Sequence, residues 1–353
     1  MQSNEEFVKF LGEGSYGYVH LVKYTNPDGS SFHAAVKNSY TDDDDFDNLQ
    51  RELRILLQLR GNQRIIECFG DKLEQGLSSY GNTVRKLLLE YAPEGSLNAF
   101  MENFAGRELP EAMIRDFTRM ILEGLVSIHH HGYVHCDLKS DNLLVFPSRN
   151  SSYELKISDF GNCLSVGEVP DYWGIDSPFV GTPIYMPPES LRDGVARKTL
   201  DLWSVGCLVL EMYTGVVPWE GVKLSDLKAR LLDGEAPEIP DCVPCDARNF
   251  IETCFSSTPE ERGSACELLF HRFLRRLEEE EQTVAEERRN SILLKLKLRI
   301  RRASKNVTEK KEKPLKLMFL PSKPPQLKST LNRFLRLKIM PMKRSGSNLV
   351  SVQ

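Results

Sequence analysis

His135-Cys136-Asp137-Leu138-Lys139-Ser140-Asp141-Asn142 is the stretch that decides the fold of this 353-residue chain. A second short block, Asp159-Phe160-Gly161, begins 17 residues after Asn142. Just upstream of the first block, apolar residues recur at helical spacing: Ile114, Phe117, Ile121, Leu125 and Ile128. This stripe predicts an amphipathic helix that ends by Gly132. The first block therefore follows directly on a predicted helix.

The first third of the chain has a different pattern, with short apolar runs separated by turn residues. We expect strands at residues 7–11, 17–24 and 31–37. A helical stretch follows, with leucines at 49, 53 and 56, and the acidic run at 42–45 before it suits the positive end of a helix. A small strand-rich half and a larger helical half predict an α+β, bilobal body.

A glycine-rich segment, Gly12-Glu13-Gly14-Ser15-Tyr16-Gly17, lies between the first two predicted strands. Glycines let backbone amides approach phosphate oxygens closely, because no Cβ intervenes. Dinucleotide-binding folds use the same glycine spacing but need a helix directly afterwards. Here the chain continues as a strand from Tyr18, which disfavours that alternative. An ordinary glycine-rich hairpin stays open for this segment taken by itself.

A lysine and a glutamate follow this segment. Lys37 closes an apolar strand 20 residues after Gly17. Glu52 lies on the same helical face as the leucines, and a carboxylate in an inward-facing stripe needs a charged partner, since burying it unpaired is costly. Lys37 is the natural candidate for that partner. The alternative is a solvated Glu52 at the edge of the stripe.

Taken in order, these blocks resemble those of a eukaryotic protein kinase. The resemblance runs from Gly12 to about Phe273 and includes two later blocks, Gly181-Thr182-Pro183 and Pro187-Pro188-Glu189, with Arg262 as the implied ion-pair partner of Glu189. Lys139 together with Thr182 is similar to the serine/threonine pattern. The chain looks nearest to the plant MEKK-like MAP kinase kinase kinases.

The resemblance implies a protein kinase fold over residues 1–274, with a small β-rich N-lobe and a larger α-helical C-lobe. It also implies the roles of the polar residues. Asp137 would accept or orient the proton of a serine or threonine hydroxyl, and Lys139 would screen the charge on the transferred phosphate. Lys37, paired with Glu52, would hold the α- and β-phosphates of ATP, and Asn142 and Asp159 would bind Mg²⁺. Thr182 would bond to Lys139 and Asp137.

The nucleotide site is implied in the same way. The adenine would bind backbone groups of Glu90 and Ala92, after an apolar strand whose Leu89 is the gatekeeper. The residues implied to bind ATP are Leu11, Gly12, Glu13, Gly14, Ser15, Tyr16, Gly17, Val19, Ala35, Lys37, Glu90 and Ala92.

The implied function is phosphorylation of serine or threonine in a protein substrate, with a MAP kinase kinase as the candidate. Two alternatives stay open: a pseudokinase scaffold, and a serine/threonine kinase outside the MAP kinase cascade. Loss of Lys37, Asp137, Asn142 or Asp159 would support the scaffold, but all four are present. A kinase of small molecules is disfavoured by the complete segment 181–189 and the helical lobe after it.

Cys136 departs from the family pattern, because it replaces the arginine that usually precedes the catalytic aspartate. In most relatives that arginine pairs with a phosphate on the activation segment, here residues 159–189. We therefore predict activity without obligatory phosphorylation of this segment, for example at Ser165 or Ser177. A redox role is the alternative for Cys136, beside that of a small buried residue.

The net charge of −4 conceals an asymmetry. Residues 288–353 contain 19 Lys and Arg but two acids, whereas the remainder contains 27 basic and 48 acidic residues. This split predicts an acidic body and a basic, largely irregular tail at residues 275–353. Residues 311–317 and 333–337 resemble the basic, leucine-containing motifs by which MAP kinase pathway members dock. A solvated tail, folding back on the acidic body, nuclear import and contact with anionic membrane are the alternatives.

Eight cysteines are scattered along the chain with no disulfide pattern and no secretory signal. We therefore expect a reducing location, cytoplasmic and also nuclear. No apolar run approaches the roughly 20 residues of a membrane span, so no transmembrane segment is expected. We expect no nucleic-acid partner.

Overall fold

The computed structural model describes residues 4–14, 17–39, 43–77, 81, 83–148, 152–174 and 179–275. The chain consists of two units, Met1–Glu281 and Gln282–Gln353, whose residues contact mainly others of the same unit. The predicted basic tail after Arg275 lies outside the described residues, as do Ser15, Tyr16 and Ser177. Among the residues described, no helix is both long and apolar enough to span a bilayer.

The N-lobe is built on one antiparallel sheet. Its strands are β1 (Asn4–Gly14), β2 (Gly17–Thr25), β3 (Ser31–Ser39), β4 (Cys68–Leu77) and β5 (Thr83–Glu90), in the order β1-β2-β3-β5-β4. The three predicted strands are present but longer at their ends. The strands extend further because hydrogen bonding between neighbouring strands joins backbone groups and does not depend on the side chains. For example, Asn4 pairs with Thr25, and Gly14 pairs with Gly17.

One helix, α1 (Asp43–Gln58), packs on this sheet with its leucine stripe buried. The helix begins at Asp43, so most of the acidic run belongs to its first turn instead of preceding it. The side chains of this acidic run lie outside the described part of the structure, so their effect on the helix end stays a prediction.

The C-lobe is helical. Its helices are α2 (Leu97–Met101), α3 (Glu111–His130), α4 (Pro188–Asp193), α5 (Lys198–Thr214), α6 (Leu224–Leu232), α7 (Cys245–Cys254) and α8 (Ala265–Leu268). The apolar stripe of α3 is fully buried, and α5 is buried almost all round because α3 and α7 pack against it. The predicted α+β architecture, with a strand-rich first lobe and a helical second lobe, is confirmed.

Two short antiparallel pairs place the functional segments. β6 (Tyr133–Val134) pairs with β9 (Leu164–Ser165), and β7 (Leu143–Pro147) pairs with β8 (Tyr153–Ile157). Residues 135–142 connect β6 to β7, and residues 158–163 connect β8 to β9. Because Leu143 faces Ile157 across the β7–β8 hairpin, the two polar blocks of the sequence meet at the same end of this hairpin.

Candidate active site

A buried carboxylate holds the loop between β6 and β7, residues 135–142, which we call the catalytic loop. Asp201 of α5 accepts hydrogen bonds from the backbone N–H groups of His135, at 2.9 Å, and Cys136, at 3.0 Å. Its Oδ2 also lies 2.8 Å from Nε2 of His129. Cys136 has a φ of 64°, in the left-handed region, and these contacts hold it there.

Asp137 is surrounded by donors. Its Oδ1 accepts from both the backbone N–H and the hydroxyl of Thr182, at 2.8 and 2.7 Å. Its Oδ2 faces the Lys139 ammonium at 3.2 Å, the Asn142 amide at 3.2 Å and the Asn162 amide at 3.3 Å. Lys139 also donates to the Thr182 hydroxyl at 2.9 Å. The contacts predicted among Asp137, Lys139 and Thr182 are therefore present.

Lys37 of β3 lies between two carboxylates. Its ammonium is 2.7 Å from Glu52 of α1 and 2.7 Å from Asp159. The other oxygen of Glu52 accepts the backbone N–H of Phe160 at 3.2 Å. Glu52 is 1% exposed, which excludes the alternative of a solvated residue at the edge of the leucine stripe.

Burial and charge pull the pKa values of this cluster in opposite directions. Burial alone would lower the pKa of Lys37, but Asp159 and Glu52 raise it above its usual value. Burial opposes ionisation of Asp159 as well, yet the Lys37 ammonium lowers its pKa. Burial raises the pKa of Glu52. The Lys37 ammonium opposes this rise, and the negative charge of Asp159 adds to it. The result is a charged Lys37 held in place between two structural elements.

Asn142 and Asp159 fit a hard cation. Ser158 donates from its backbone N–H and its hydroxyl, each at 2.9 Å, to the backbone oxygen of Asn142, so the two candidate ligands are kept next to each other. The Asn142 amide nitrogen donates to Asp137, which leaves the amide oxygen for a metal. In the part of the chain described, no group of three His, Cys, Asp or Glu could hold a metal ion. One amide and one carboxylate suit Mg²⁺, which takes its other ligands from phosphates and water.

The glycine-rich hairpin leaves space where phosphates would bind. A Cβ added at Gly12 or Gly14 would meet no atom within 4 Å. Gly17 differs, since a Cβ there would collide with the backbone oxygen of Asn38. The strand continues from Gly17 to Thr25, so the dinucleotide-binding alternative is excluded. Glu13, the last residue but one of β1, pairs with Tyr18 of β2.

The other residues implied to bind ATP come from four strands and the segment after β5. Ala35 pairs with Leu89 across β3 and β5, and Ala92 lies two residues after the end of β5. Val19 is partly buried and Leu11 is 37% exposed. Glu90 already donates its backbone N–H to Glu67, at 2.9 Å, and its side chain binds Lys156.

The segment before α4 lies against the catalytic loop. Gly181 has a φ of 94°, and a Cβ there would collide with the backbone oxygen of Cys136. Farther along, the predicted pair of Glu189 and Arg262 is present, with Nη1 to Oε1 at 2.5 Å and Nη2 to Oε2 at 3.0 Å. The Arg262 side chain is fully buried. Glycine and the buried ion pair thus fix this segment at both ends.

Cys136 is packed as a small apolar residue. It is 9% exposed, and its Sγ donates weakly to the Val134 carbonyl at 3.5 Å. Burial, reinforced by the charge of Asp201, raises the pKa of its thiol. The protonated thiol is the less reactive form, which argues against a redox role.

Three further polar residues contact the site or the helix that carries Glu52, and none of them was predicted. Asn162 reaches Asp137, and Arg51 of α1 pairs with Glu168, Nη2 to Oε1 at 2.7 Å. Asn162 directly follows Gly161, and this position next to the block 159–161 is the signal by which it could have been predicted. The pair of Arg51 and Glu168 has no such signal, because 117 residues separate them.

The protein kinase domain family matches residues 6–274, and the chain belongs to the protein kinase family. Its relatives in Arabidopsis thaliana include mitogen-activated protein kinase kinase kinase 20, 33% identical over 75% of this chain and 76% of that protein. Mitogen-activated protein kinase kinase kinase 18 is 36% identical over 75% and 76% of the two chains. Mitogen-activated protein kinase kinase kinase 17 is 35% identical over 75% of this chain and 68% of that protein.

These relatives confirm the finer resemblance as well. The enzyme is a serine/threonine protein kinase of the MAP kinase kinase kinase type, and it carries out ATP-dependent phosphoryl transfer.

Proposed function

We propose that Asp137 orients the hydroxyl of the substrate serine or threonine and receives its proton. The contact that carries this proposal is the pair of hydrogen bonds from Thr182 to one oxygen of Asp137. They fix the carboxylate before any substrate arrives, and preorganised geometry is a large part of phosphoryl-transfer catalysis. Lys139, which contacts both residues, is placed to offset negative charge on the transferred group.

ATP binds between the glycine-rich hairpin and Lys37 in this proposal. The open space at Gly12 and Gly14 supports an approach of phosphates to the backbone. Lys37 is held by Glu52 at the position from which it contacts the α- and β-phosphates. Because the N–H of Glu90 is paired with Glu67, its contribution to adenine is the carbonyl oxygen, with the backbone of Ala92 beside it.

Asn142 and Asp159 bind Mg²⁺ through an amide oxygen and a carboxylate oxygen. When bound, the ion neutralises phosphate charge and links the phosphates to the protein. Asp159 contacts Lys37 in the structure. Lys37 and Asp159 would therefore act next to each other when ATP and Mg²⁺ are bound.

The protein substrate that we propose is a MAP kinase kinase. The support is the name shared by the relatives, mitogen-activated protein kinase kinase kinase, together with the coverage of most of their length by this chain. Docking of that partner on the basic residues 311–317 or 333–337 is proposed as well, and so is a cytoplasmic and nuclear location. Deleting residues 288–353 and measuring partner binding tests the docking proposal, which unchanged binding would contradict. Imaging the full chain in cells tests the location, and its absence from both cytoplasm and nucleus would contradict that proposal.

One experiment separates the kinase from a pseudokinase scaffold. Purified wild type and Asp137→Asn are incubated with Mg-ATP, a catalytically inactive MAP kinase kinase and general kinase substrates. Wild type is expected to transfer phosphate to serine or threonine, and the variant to bind ATP without transfer. Equal transfer by both proteins would refute the role of Asp137. Transfer to general substrates but to no MAP kinase kinase would place the enzyme outside that cascade.

A further inference from the structure

The carboxylate of Glu168 connects the activation segment to α1. Nη2 of Arg51 donates to both of its oxygens, at 2.7 and 2.9 Å. The backbone N–H of Ser165, at the end of β9, donates to Oε2 at 2.7 Å. Although burial opposes ionisation, the hydrogen bonds from Ser165 and Arg51 lower the pKa of Glu168. This carboxylate is therefore charged and paired at neutral pH.

The backbone of the same residue is tied to the C-lobe. Ala196 donates its N–H to the Glu168 carbonyl at 2.8 Å, and Gly167 donates its own N–H to the Ala196 carbonyl at 2.9 Å. Ala196 precedes α5 and is buried. Because the backbone is anchored to the C-lobe, the side chain of Glu168 gives α1 a fixed point outside its own lobe.

Arg51 stands next to Glu52 on α1, and consecutive helical residues point about 100° apart. Glu52 contacts Lys37 and the backbone N–H of Phe160, whereas Arg51 contacts Glu168. The helix thus touches the activation segment at two places, eight residues apart in that segment. Two contacts in different directions fix the rotation of α1, and the rotation decides whether Glu52 reaches Lys37.

The contacts that Cys136 makes with the activation segment carry no charge. Cys136 packs in an apolar cluster formed with Val134, Leu164, Val180, Met186, Ala196 and Leu200. A phosphate on the activation segment would find no cation at position 136. A negative charge that positions α1 therefore does not depend on a phosphate, because the carboxylate of Glu168 is a permanent negative charge on the activation segment.

We infer that Arg51 and Glu168 are positioning residues, a permanent ion pair that holds α1 where Glu52 engages Lys37, so that the enzyme is active with its activation segment unphosphorylated. The inference rests on the proposed function, in which Lys37 and Glu52 serve ATP. Arg51 and Glu168 touch no substrate and act through Glu52.

The test is a double-mutant cycle on phosphatase-treated full-length protein, with Arg51→Ala, Glu168→Gln and the double variant. Each single variant is expected to lower kcat/KM for ATP about three- to tenfold, the range for a partly exposed pair with a charged hydrogen bond. The double variant should be no worse than either single one, since the loss of one shared contact is counted once. Arg54→Ala, an exposed arginine on the same helix, is the matched control and should stay within about twofold.

Hydrogen exchange gives a second measurement that does not need activity. The amides of residues 49–58 and of Phe160 are expected to exchange faster in Glu168→Gln than in wild type or Arg54→Ala. Wild type that loses turnover on phosphatase treatment, single variants with unchanged kcat/KM, or losses that multiply in the double variant would each overturn the inference. If wild type and Asp137→Asn transfer phosphate equally, the proposed function fails instead, and the exchange data alone decide whether the pair holds α1.

Discussion

Thr182 donates two hydrogen bonds to a single oxygen of Asp137, one from its backbone N–H and one from its hydroxyl. The same hydroxyl accepts from Lys139. The three residues come from two segments that are 43 to 45 residues apart in the chain. The hydroxyl of Thr182 therefore joins the activation segment to the catalytic loop at the carboxylate itself.

The first prediction concerns this hydroxyl. Thr182→Val keeps the shape of the side chain but removes the hydroxyl, and with it the side-chain hydrogen bonds to Asp137 and Lys139. The backbone N–H bond to Asp137 remains. Hydrogen bonds to charged groups contribute about 1.5–3 kcal/mol, so kcat should fall roughly ten- to a hundredfold. Thr182→Ser keeps the hydroxyl and should stay within about threefold of wild type. Steady-state kinetics with a serine peptide would contradict the prediction if the two variants behaved alike.

The second prediction concerns the buried partner of Lys37. Glu52→Gln removes the charge that orients the ammonium, and kcat/KM for ATP is expected to fall about ten- to a hundredfold. The matched control is Glu123→Gln, which breaks a partly exposed pair with Arg64, also at 2.7 Å. Glu123 lies on α3 and Arg64 in the segment between α1 and β4, and the loss of this pair should change kcat/KM by less than about twofold. Similar losses in both variants would show a general effect on the fold and no specific role for Glu52.

The third prediction concerns cysteine reactivity. Burial raises the pKa of the Cys136 thiol, so little thiolate is present at neutral pH. Cys242, Cys245 and Cys266 are exposed. Peptide mapping after brief iodoacetamide treatment at neutral pH should find the three exposed residues alkylated and Cys136 unmodified. In denaturant all four should react. Alkylation of Cys136 in the native protein as fast as that of Cys242 would support the redox alternative.

The fourth prediction concerns stability. Arg262→Ala leaves the Glu189 carboxylate unpaired in a buried site, and breaking such a pair costs about 3–5 kcal/mol of unfolding free energy. Arg197→Ala breaks an exposed pair with Asp193, at 2.7 Å, and should cost less than about 1 kcal/mol. Denaturant titration of both variants measures the difference. Equal midpoints would mean that solvent reaches the Glu189 pair.

Some contacts could be predicted from the residues alone because a local pattern required them. Glu52 falls in a leucine stripe, which predicted a buried carboxylate paired with Lys37 beside the alternative of a solvated one, and the structure shows the pair. The stripe of α3 likewise follows from helical spacing. The exact ends of β1 did not follow, because strand ends depend on backbone pairing with β2 and not on side-chain type.

The sequence by itself determined the α+β bilobal fold, through a strand-rich half followed by a helical half, and the glycine-rich segment. The roles of the polar residues of the site were implied by the resemblance of its ordered motifs to those of protein kinases. Only the tertiary structure decided how those residues are held. The contacts of Asp201 with the catalytic loop and of Arg51 with Glu168 join distant segments. A hydrogen bond needs its two atoms within about 3 Å, and for segments this far apart that distance is set by the packing of the helices and sheets between them.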